Sequence, residues 1–135
     1  MRLHRRLVLQ SSLEHMDRVV DETEQFLSPL NLDEEQSYNI VLLTTEAVSN
    51  AMEHGNGLDI DKKVIIEFEA TARRVVISVE DEGSGFRASR VPDPLAEENL
   101  LAEGGRGLFL MEELADDISY EKGGRLVVLT FDTGS

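Results

Sequence analysis

The sequence predicts an α/β (α+β) two-layer sandwich, in which helices cover one face of a mostly antiparallel sheet. The predicted elements run in the order strand, two helices, two strands, irregular loop, helix, two strands. The two central strands are linked by only three residues, 71–73, and so short a link joins antiparallel strands rather than parallel ones. At 135 residues the chain has the size of one domain with one core, so we expect a single domain over residues 1–135.

A short first strand and an amphipathic helix open the chain. Residues 7–9 are apolar and end the strand. Apolar side chains then recur at helical spacing through residues 12–27, which predicts the first helix. Ser11 and Glu14 have the spacing of a capping box at its start, and Pro29 ends it.

The second helix is longer than the first. Asn31 and Glu34 repeat the capping spacing and predict where it begins. We expect it to run to about residue 54 and to stop at Gly55, where a C-terminal glycine cap belongs.

The second half of the chain carries the strand signals. Apolar and polar residues alternate through residues 64–70 and 75–80, which predicts two strands of a hairpin. Residues 86–104 have no periodicity, and so long an irregular segment in a compact domain is usually functional or mobile. The remaining predicted elements are a third helix over 108–114 and two closing strands near 118–121 and 125–131, joined at Gly123 and Gly124.

Composition narrows the possible functions. The net charge of −14 argues against binding to nucleic acid or to an anionic membrane surface, since both need a basic footprint. An acidic protein that binds a polyphosphate needs a cation, so Mg²⁺ is expected with such a ligand. The chain has no Cys, which excludes disulfides and thiolate chemistry. We find no signal peptide and no transmembrane segment in the sequence, and the cytoplasm is the expected location.

Two polar residues lie where the second helix is expected to be apolar. At about 100° per residue, Asn50 lies about 20° from Leu43 on the helical wheel and Glu46 about 60° from it. A buried amide or carboxylate destabilises the fold unless it has a hydrogen-bond partner. The two residues are therefore candidates for a ligand site, with Asn50 as an oxygen ligand for Mg²⁺. The alternative is that Asn50 caps a neighbouring loop and Glu46 is solvated.

A carboxylate ends the second strand of the hairpin. Asp81 is in phase with Val79 on the core face, and Gly83 and Gly85 follow it. Glycines allow a close approach of the backbone to a ligand. A fixed carboxylate at the bottom of a pocket suits an exocyclic amine, as on adenine, and repels a keto oxygen, as on guanine. A plain Asp-Glu-Gly turn is the alternative.

A glycine-rich segment precedes the third helix. Free N–H groups at a helix start bind anions, and glycines let a phosphate approach. Arg106 adds a charged donor for a terminal phosphate. The alternative is a flexible loop, and neither the P-loop pattern nor G-x-G-x-x-G occurs in the sequence. The candidate phosphate-binding residues are Gly104, Gly105, Arg106, Gly107 and Leu108.

Together the three segments resemble the conserved boxes of the GHKL ATPase superfamily. Residues 46–55 (EAVSNAMEHG) resemble its N box, residues 81–86 (DEGSGF) its first glycine box, and residues 105–111 (GRGLFLM) its second. The match is closest to bacterial anti-sigma factors that are also serine-protein kinases. Phe109 departs from the wider superfamily, which often has Gly there, and favours the kinase and anti-sigma branch.

The resemblance implies a role for each matched residue. Glu46 is implied as the general base toward a substrate hydroxyl, and Asn50 as the Mg²⁺ ligand. Asp81 is implied to bind the adenine amine in a pocket shaped by Gly83 and Gly85.

It also implies an ATP lid over residues 86–104. The residues implied to close on the phosphates are Gly105, Arg106, Gly107 and Leu108.

The implied function is that of a protein-serine kinase that uses Mg-ATP. Such a protein phosphorylates a STAS-type anti-anti-sigma protein, sequesters a sigma factor and so regulates transcription, and the resemblance further implies a homodimer. The alternative is a non-catalytic nucleotide-binding module that switches partners without turnover.

Overall fold

The computed structural model describes residues 2–83 and 114–134 of the chain. Several predictions therefore lie outside the described residues. These are the lid (86–104), the third helix except for Leu114, and the site residues Gly85, Gly104, Gly105, Arg106, Gly107 and Leu108.

The described strands form one antiparallel sheet of five strands in the order β1-β2-β3-β5-β4. Each neighbouring pair is antiparallel, which confirms the predicted fold class and the central hairpin. The last strand, β5, pairs with β3, and β4 lies at the edge of the sheet. The start of β5 therefore lies beside the end of β3, where Leu126 is opposite Glu80. The strands are β1 (Arg2–Gln10), β2 (Lys63–Thr71), β3 (Arg74–Glu80), β4 (Asp117–Glu121) and β5 (Leu126–Asp132).

Two α-helices connect β1 to β2. α1 spans Met16–Leu27 and follows a single 3-10 turn, Leu13–His15. α2 spans Glu34–Asn50 and continues as a π-helical turn, Ala51–Gly55. The predicted end of the long helix at Gly55 is therefore confirmed, but its last turn is wider than an α-helical one.

The helices and one face of the sheet enclose the hydrophobic core. Along β2, every second residue is buried, and the residues between them are only partly covered. Phe26 of α1 packs against Phe68 of β2 with ring centroids 5.3 Å apart. Burying one large apolar side chain contributes roughly 1.5–3 kcal/mol, so the apolar side chains between the two layers stabilise the fold. From α2, the core receives Ile40, Leu43, Ala47 and Val48.

Both predicted helix caps are wrong in detail. α2 is capped by Asp33, whose Oδ1 accepts a hydrogen bond from the N–H of Gln36 at 2.7 Å. Asn31 instead has a left-handed backbone (φ 56°) at the end of the preceding 3-10 turn. Asn and Asp are both good capping residues, so spacing alone did not decide between two candidates two residues apart.

Ser12 is the N-cap of the 3-10 turn and His15 is the N-cap of α1, and neither side chain makes a capping hydrogen bond. Ser11 is buried and donates its hydroxyl to the carbonyl oxygen of Lys62 at 2.9 Å. The predicted capping box fails because Ser11 is used to join β1 to the start of β2.

Among the described residues, no helix combines the length and the apolar content that crossing a membrane requires.

Candidate functional site

A cleft opens between the end of α2, the end of β3 and the closing hairpin. Its cavity volume between the described residues is about 20 Å³, far below the ~300–1,000 Å³ of a typical small-molecule site. Most of its lining is apolar, with a few polar groups among the apolar ones. The lining residues are Ala47, Asn50, Ala51, Val79, Asp81, Tyr120, Gly124, Arg125 and Val127.

Asn50 is the polar residue that α2 contributes to the cleft. It is the last α-helical residue and is only 8% exposed. Its Nδ2 is buried and donates no hydrogen bond to any residue that the structure describes. Both interpretations of Asn50, as part of a ligand site and as a cap for a neighbouring loop, stay predictions. A buried amide that lacks a partner is typical of a site that a ligand completes.

Glu46 lies one helical turn before Asn50. It is partly buried and does not line the cleft, so the structure brings it close to the site only through its place on α2. The carbonyl oxygen of Glu46 accepts a hydrogen bond from the Ser49 hydroxyl at 3.1 Å.

The π-helical turn changes the direction in which the side chains after Asn50 project from the helix. In an unbroken α-helix, Glu46, Asn50 and His54 would project along one line, because they lie four residues apart. From Ala51 onward the turn is wider than 3.6 residues, and His54 is exposed whereas Asn50 is buried. His54 therefore leaves the line that an unbroken α-helix would give it. Single π turns often occur at functional sites.

Asp81 is the polar residue that the end of β3 contributes. It is 4% exposed, as its phase with the core residues of the strand predicted. Its backbone N–H donates to the carbonyl of Arg125 at 2.8 Å, and its Oδ1 accepts from the N–H of Gly83 at 2.9 Å. Burial raises the pKa of the Asp81 carboxyl, and the hydrogen bond from Gly83 and the charge of Arg125 oppose that rise.

Two glycines allow the end of the long helix to touch the turn after β3. A Cβ atom added to Gly55 would lie 2.3 Å from Oδ2 of Asp81. One added to Gly83 would lie 1.7 Å from the carbonyl oxygen of Gly55. Real Cβ atoms essentially never approach other atoms within 3.0 Å, so both positions require glycine. Sequence analysis had given Gly55 only the role of a helix cap.

The closing hairpin supplies the part of the cleft that sequence analysis missed. Tyr120 of β4 and Val127 of β5 are paired across the hairpin and line the cleft with Arg125. Their alternating pattern predicts strands but does not say which other element they face. The pairing of β5 with β3 brings them beside Asp81.

The described residues contain no group of three or more His, Asp or Glu side chains placed to hold a metal ion.

The sequence is similar to characterised proteins over most of its length. The histidine kinase-like ATPase domain family matches residues 9–131. A serine-protein kinase RsbW of Staphylococcus aureus (strain Newman) is 32% identical over 97 residues, which cover 66% of this chain and 61% of that protein. The serine-protein kinase RsbW of Bacillus subtilis (strain 168) is 31% identical over 86 residues, covering 59% and 54%. This chain thus spans little more than half the length of these relatives.

The fold is also similar to a solved structure. The crystal structure of the RsbU and RsbW domains of a Mycobacterium tuberculosis protein matches with a TM-score of 0.65. The match covers 99% of this chain and 32% of the other, at 20% identity, and it supports the fold alone.

Proposed function

The chain belongs to the histidine kinase-like ATPase domain family, and from that membership we propose that it is an ATP-dependent serine-protein kinase and anti-sigma factor. In this proposal it transfers the γ-phosphate of ATP to a serine of a STAS-type anti-anti-sigma protein, and it also binds a sigma factor and keeps it from RNA polymerase. The observation that carries the proposal is that Asn50 and Asp81, from separate elements, line one cleft. The names of the relatives, serine-protein kinases, support it.

Asp81 is the group that would recognise the base. Its carboxylate is held by the N–H of Gly83 and lies beside the apolar side chains of Val79 and Val127. One fixed acceptor among apolar side chains has the chemistry to recognise a heterocycle that carries an amine. A hydrogen bond to a charged acceptor contributes about 1.5–3 kcal/mol, which favours adenine over guanine at this position.

Asn50 is the described residue that fits a Mg²⁺ ion held with the nucleotide. Its amide lines the cleft, and its Nδ2 has no partner within the described ranges. The amide oxygen would hold the ion, and Nδ2 would donate to a phosphate oxygen. When bound, the ion would neutralise part of the negative charge of the phosphates. The chain has a net charge of −14, so its overall charge repels the phosphates and does not neutralise them.

Glu46 would act as the general base. It lies one turn before Asn50 on the same helix, so the backbone positions of the two residues are fixed relative to each other. It would accept the proton of the serine hydroxyl as that oxygen attacks the γ-phosphate. Because phosphoryl transfer has a loose transition state, positioning contributes most, and a base typically adds ~10²–10⁴-fold.

The remaining parts of the proposal rest on the family resemblance. Phosphate contacts by the glycine-rich segment stay a prediction, since residues 104–108 lie outside the described ranges. A sigma factor and a STAS protein as partners, a homodimer and a cytoplasmic location are proposed on the same basis.

The test measures binding and phosphoryl transfer separately. Calorimetry with Mg-ATP and Mg-GTP measures binding, and γ-labelled ATP with purified STAS proteins from the same genome measures transfer. We expect adenine-selective binding and labelling of a serine on one STAS protein. Glu46→Gln, which keeps the shape of the side chain, should bind ATP normally and lose transfer by at least ~10²-fold.

Two results would change the proposal. Binding of Mg-ATP without transfer to any STAS protein would favour the non-catalytic partner-switching module. The absence of binding to any adenine nucleotide would reject both functions.

A further inference from the structure

A second buried asparagine, Asn56, lies directly after the π-helical turn and is only 3% exposed. Its side chain makes three hydrogen bonds, each to a different segment of the chain. Nδ2 donates to the Ser11 hydroxyl at 2.7 Å and to the Lys63 carbonyl at 3.0 Å. Oδ1 accepts from the backbone N–H of Glu82 at 2.9 Å. One side chain therefore joins the ends of β1 and α2 to the start of β2 and the turn after β3.

The turn after β3 has three successive N–H groups, and each has a defined acceptor. Asp81 donates to the Arg125 carbonyl, and Gly83 donates to the carboxylate of Asp81 itself. Glu82, between them, donates to Asn56. Among these three acceptors, only the Asn56 amide oxygen is a side-chain group from outside the turn. The side-chain carboxylate of Glu82 accepts a hydrogen bond from the backbone N–H of Lys63, so the turn is also joined to the start of β2.

Asn56 is also placed to set the distance between the two polar groups of the cleft. Asn50 lies at the start of the π-helical turn that Asn56 follows, and Asp81 precedes the Glu82 N–H that Asn56 holds. The helix end and the turn touch through Gly55 and Gly83, where no side chain fits. A hydrogen bond beside so close a backbone contact fixes the two segments in register.

We propose that Asn56 is a positioning residue for base recognition, because its Oδ1 holds the turn that aims the Asp81 carboxylate at the exocyclic amine of the nucleotide. The proposal rests on the proposed function, since it requires an adenine nucleotide in the cleft. Asn56 itself does not line the cleft.

The test must separate this role from a general contribution to stability. Purine riboside triphosphate is ATP without the 6-amino group, so the ratio of the two affinities reports the contact between the amine and Asp81. A loss of stability that leaves the site intact does not change this ratio. Both affinities are measured by calorimetry with Mg²⁺, and the melting temperature of each variant is recorded.

Three variants give the comparison. Asn56→Ala removes the acceptor for Glu82 and should lower the affinity ratio about tenfold, which corresponds to ~1.4 kcal/mol. Ser11→Ala removes a buried partner of Asn56 but keeps the bond from Oδ1 to Glu82, and should leave the ratio within about twofold of wild type. Asn56→Asp keeps an acceptor at the same place and should retain most of the ratio despite the lost donor bonds. If Asn56→Ala does not fold, Asn56→Ser, which is too short to reach Glu82, replaces it.

The outcomes distinguish this inference from the proposed function. If the wild-type protein binds neither nucleotide, the proposed function fails and this inference fails with it. If the wild type discriminates between the two nucleotides and Asn56→Ala discriminates equally well, only the inference is overturned. An equal fall of the ratio in Ser11→Ala would also overturn it, because the network as a whole would then be responsible.

Discussion

The sharpest prediction concerns Gly55→Ala, a change of one methyl group at the end of the long helix. The three atoms nearest to the new Cβ would all belong to the carboxylate of Asp81, with Oδ2 at 2.3 Å, Cγ at 2.4 Å and Oδ1 at 2.9 Å. Ordinary contacts begin at 3.4 Å, so the carboxylate or the helix end must move by about 1 Å. We therefore expect an effect on both stability and nucleotide binding.

Two energies set the size of the effect. Inserting a methyl group into a filled space typically costs ~1–3 kcal/mol of folding free energy. A hydrogen bond to a charged group contributes ~1.5–3 kcal/mol, and a displacement of about 1 Å removes much of it. We expect the affinity for ATP to fall at least ~10-fold, and the affinity for purine riboside triphosphate to fall much less.

The assay combines calorimetry of nucleotide binding with chemical denaturation. Gly57→Ala is the matched control, since Gly57 has a left-handed backbone (φ +62°) and no atom within 4 Å of an added Cβ. It should cost ~1–2 kcal/mol of stability through backbone strain alone and leave ATP affinity unchanged.

A double-mutant cycle tests the cause directly. In an Asp81→Ala background the clashing atoms are absent, so Gly55→Ala should cost less there by ~1–2 kcal/mol. An equal cost of Gly55→Ala in both backgrounds, or an unchanged ATP affinity in the single variant, would refute the reasoning.

Three further predictions concern Asp81, Asn50 and Asp33. First, burial raises the pKa of the Asp81 carboxyl, so the folded state binds this proton more tightly than the unfolded state does. The ligand-free protein should therefore lose stability as the pH rises from about 3.8, the ordinary pKa of an Asp carboxyl, through the raised pKa. Thermal melts of Asp81→Asn should lack this part of the pH dependence and show a higher melting temperature at pH 7, while ATP affinity falls ~10–100-fold; a melting temperature at or below that of the wild type would contradict it. Second, Asn50→Ala should remove the Mg²⁺-dependent part of ATP affinity in calorimetry with and without the ion, yet cost under ~1 kcal/mol in denaturation, because its Nδ2 makes no hydrogen bond among the described residues; unchanged dependence on Mg²⁺ would reject the metal role. Third, Asp33→Ala should lower the free energy of unfolding by ~0.5–2 kcal/mol through loss of the cap on α2 and leave ATP affinity unchanged; an unchanged stability would mean that the cap contributes nothing.

The spacing of apolar residues predicted the described helices and strands, because this spacing follows from the local geometry of the backbone. A residue on a strand or helix is buried at every second or about every fourth position whatever it packs against. That is why the phase of Asp81 with Val79, and of Asn50 with Leu43, correctly indicated two buried polar side chains. Positions that depend on one specific partner were predicted less well. Ser11 satisfied the spacing of a cap but bonds to Lys62 across the sheet.

The sequence by itself determined the order of the described elements, the antiparallel fold class and the residues at which polar groups enter the core, because each follows from short-range pattern. The tertiary structure alone decided what surrounds those groups. The pairing of β5 with β3 brings Tyr120, Arg125 and Val127 to the cleft, and the contact of Gly55 with Asp81 depends on segments that only folding brings together. Such contacts produce no periodic pattern in the sequence, because they depend on how closely two segments that are far apart in the chain approach each other.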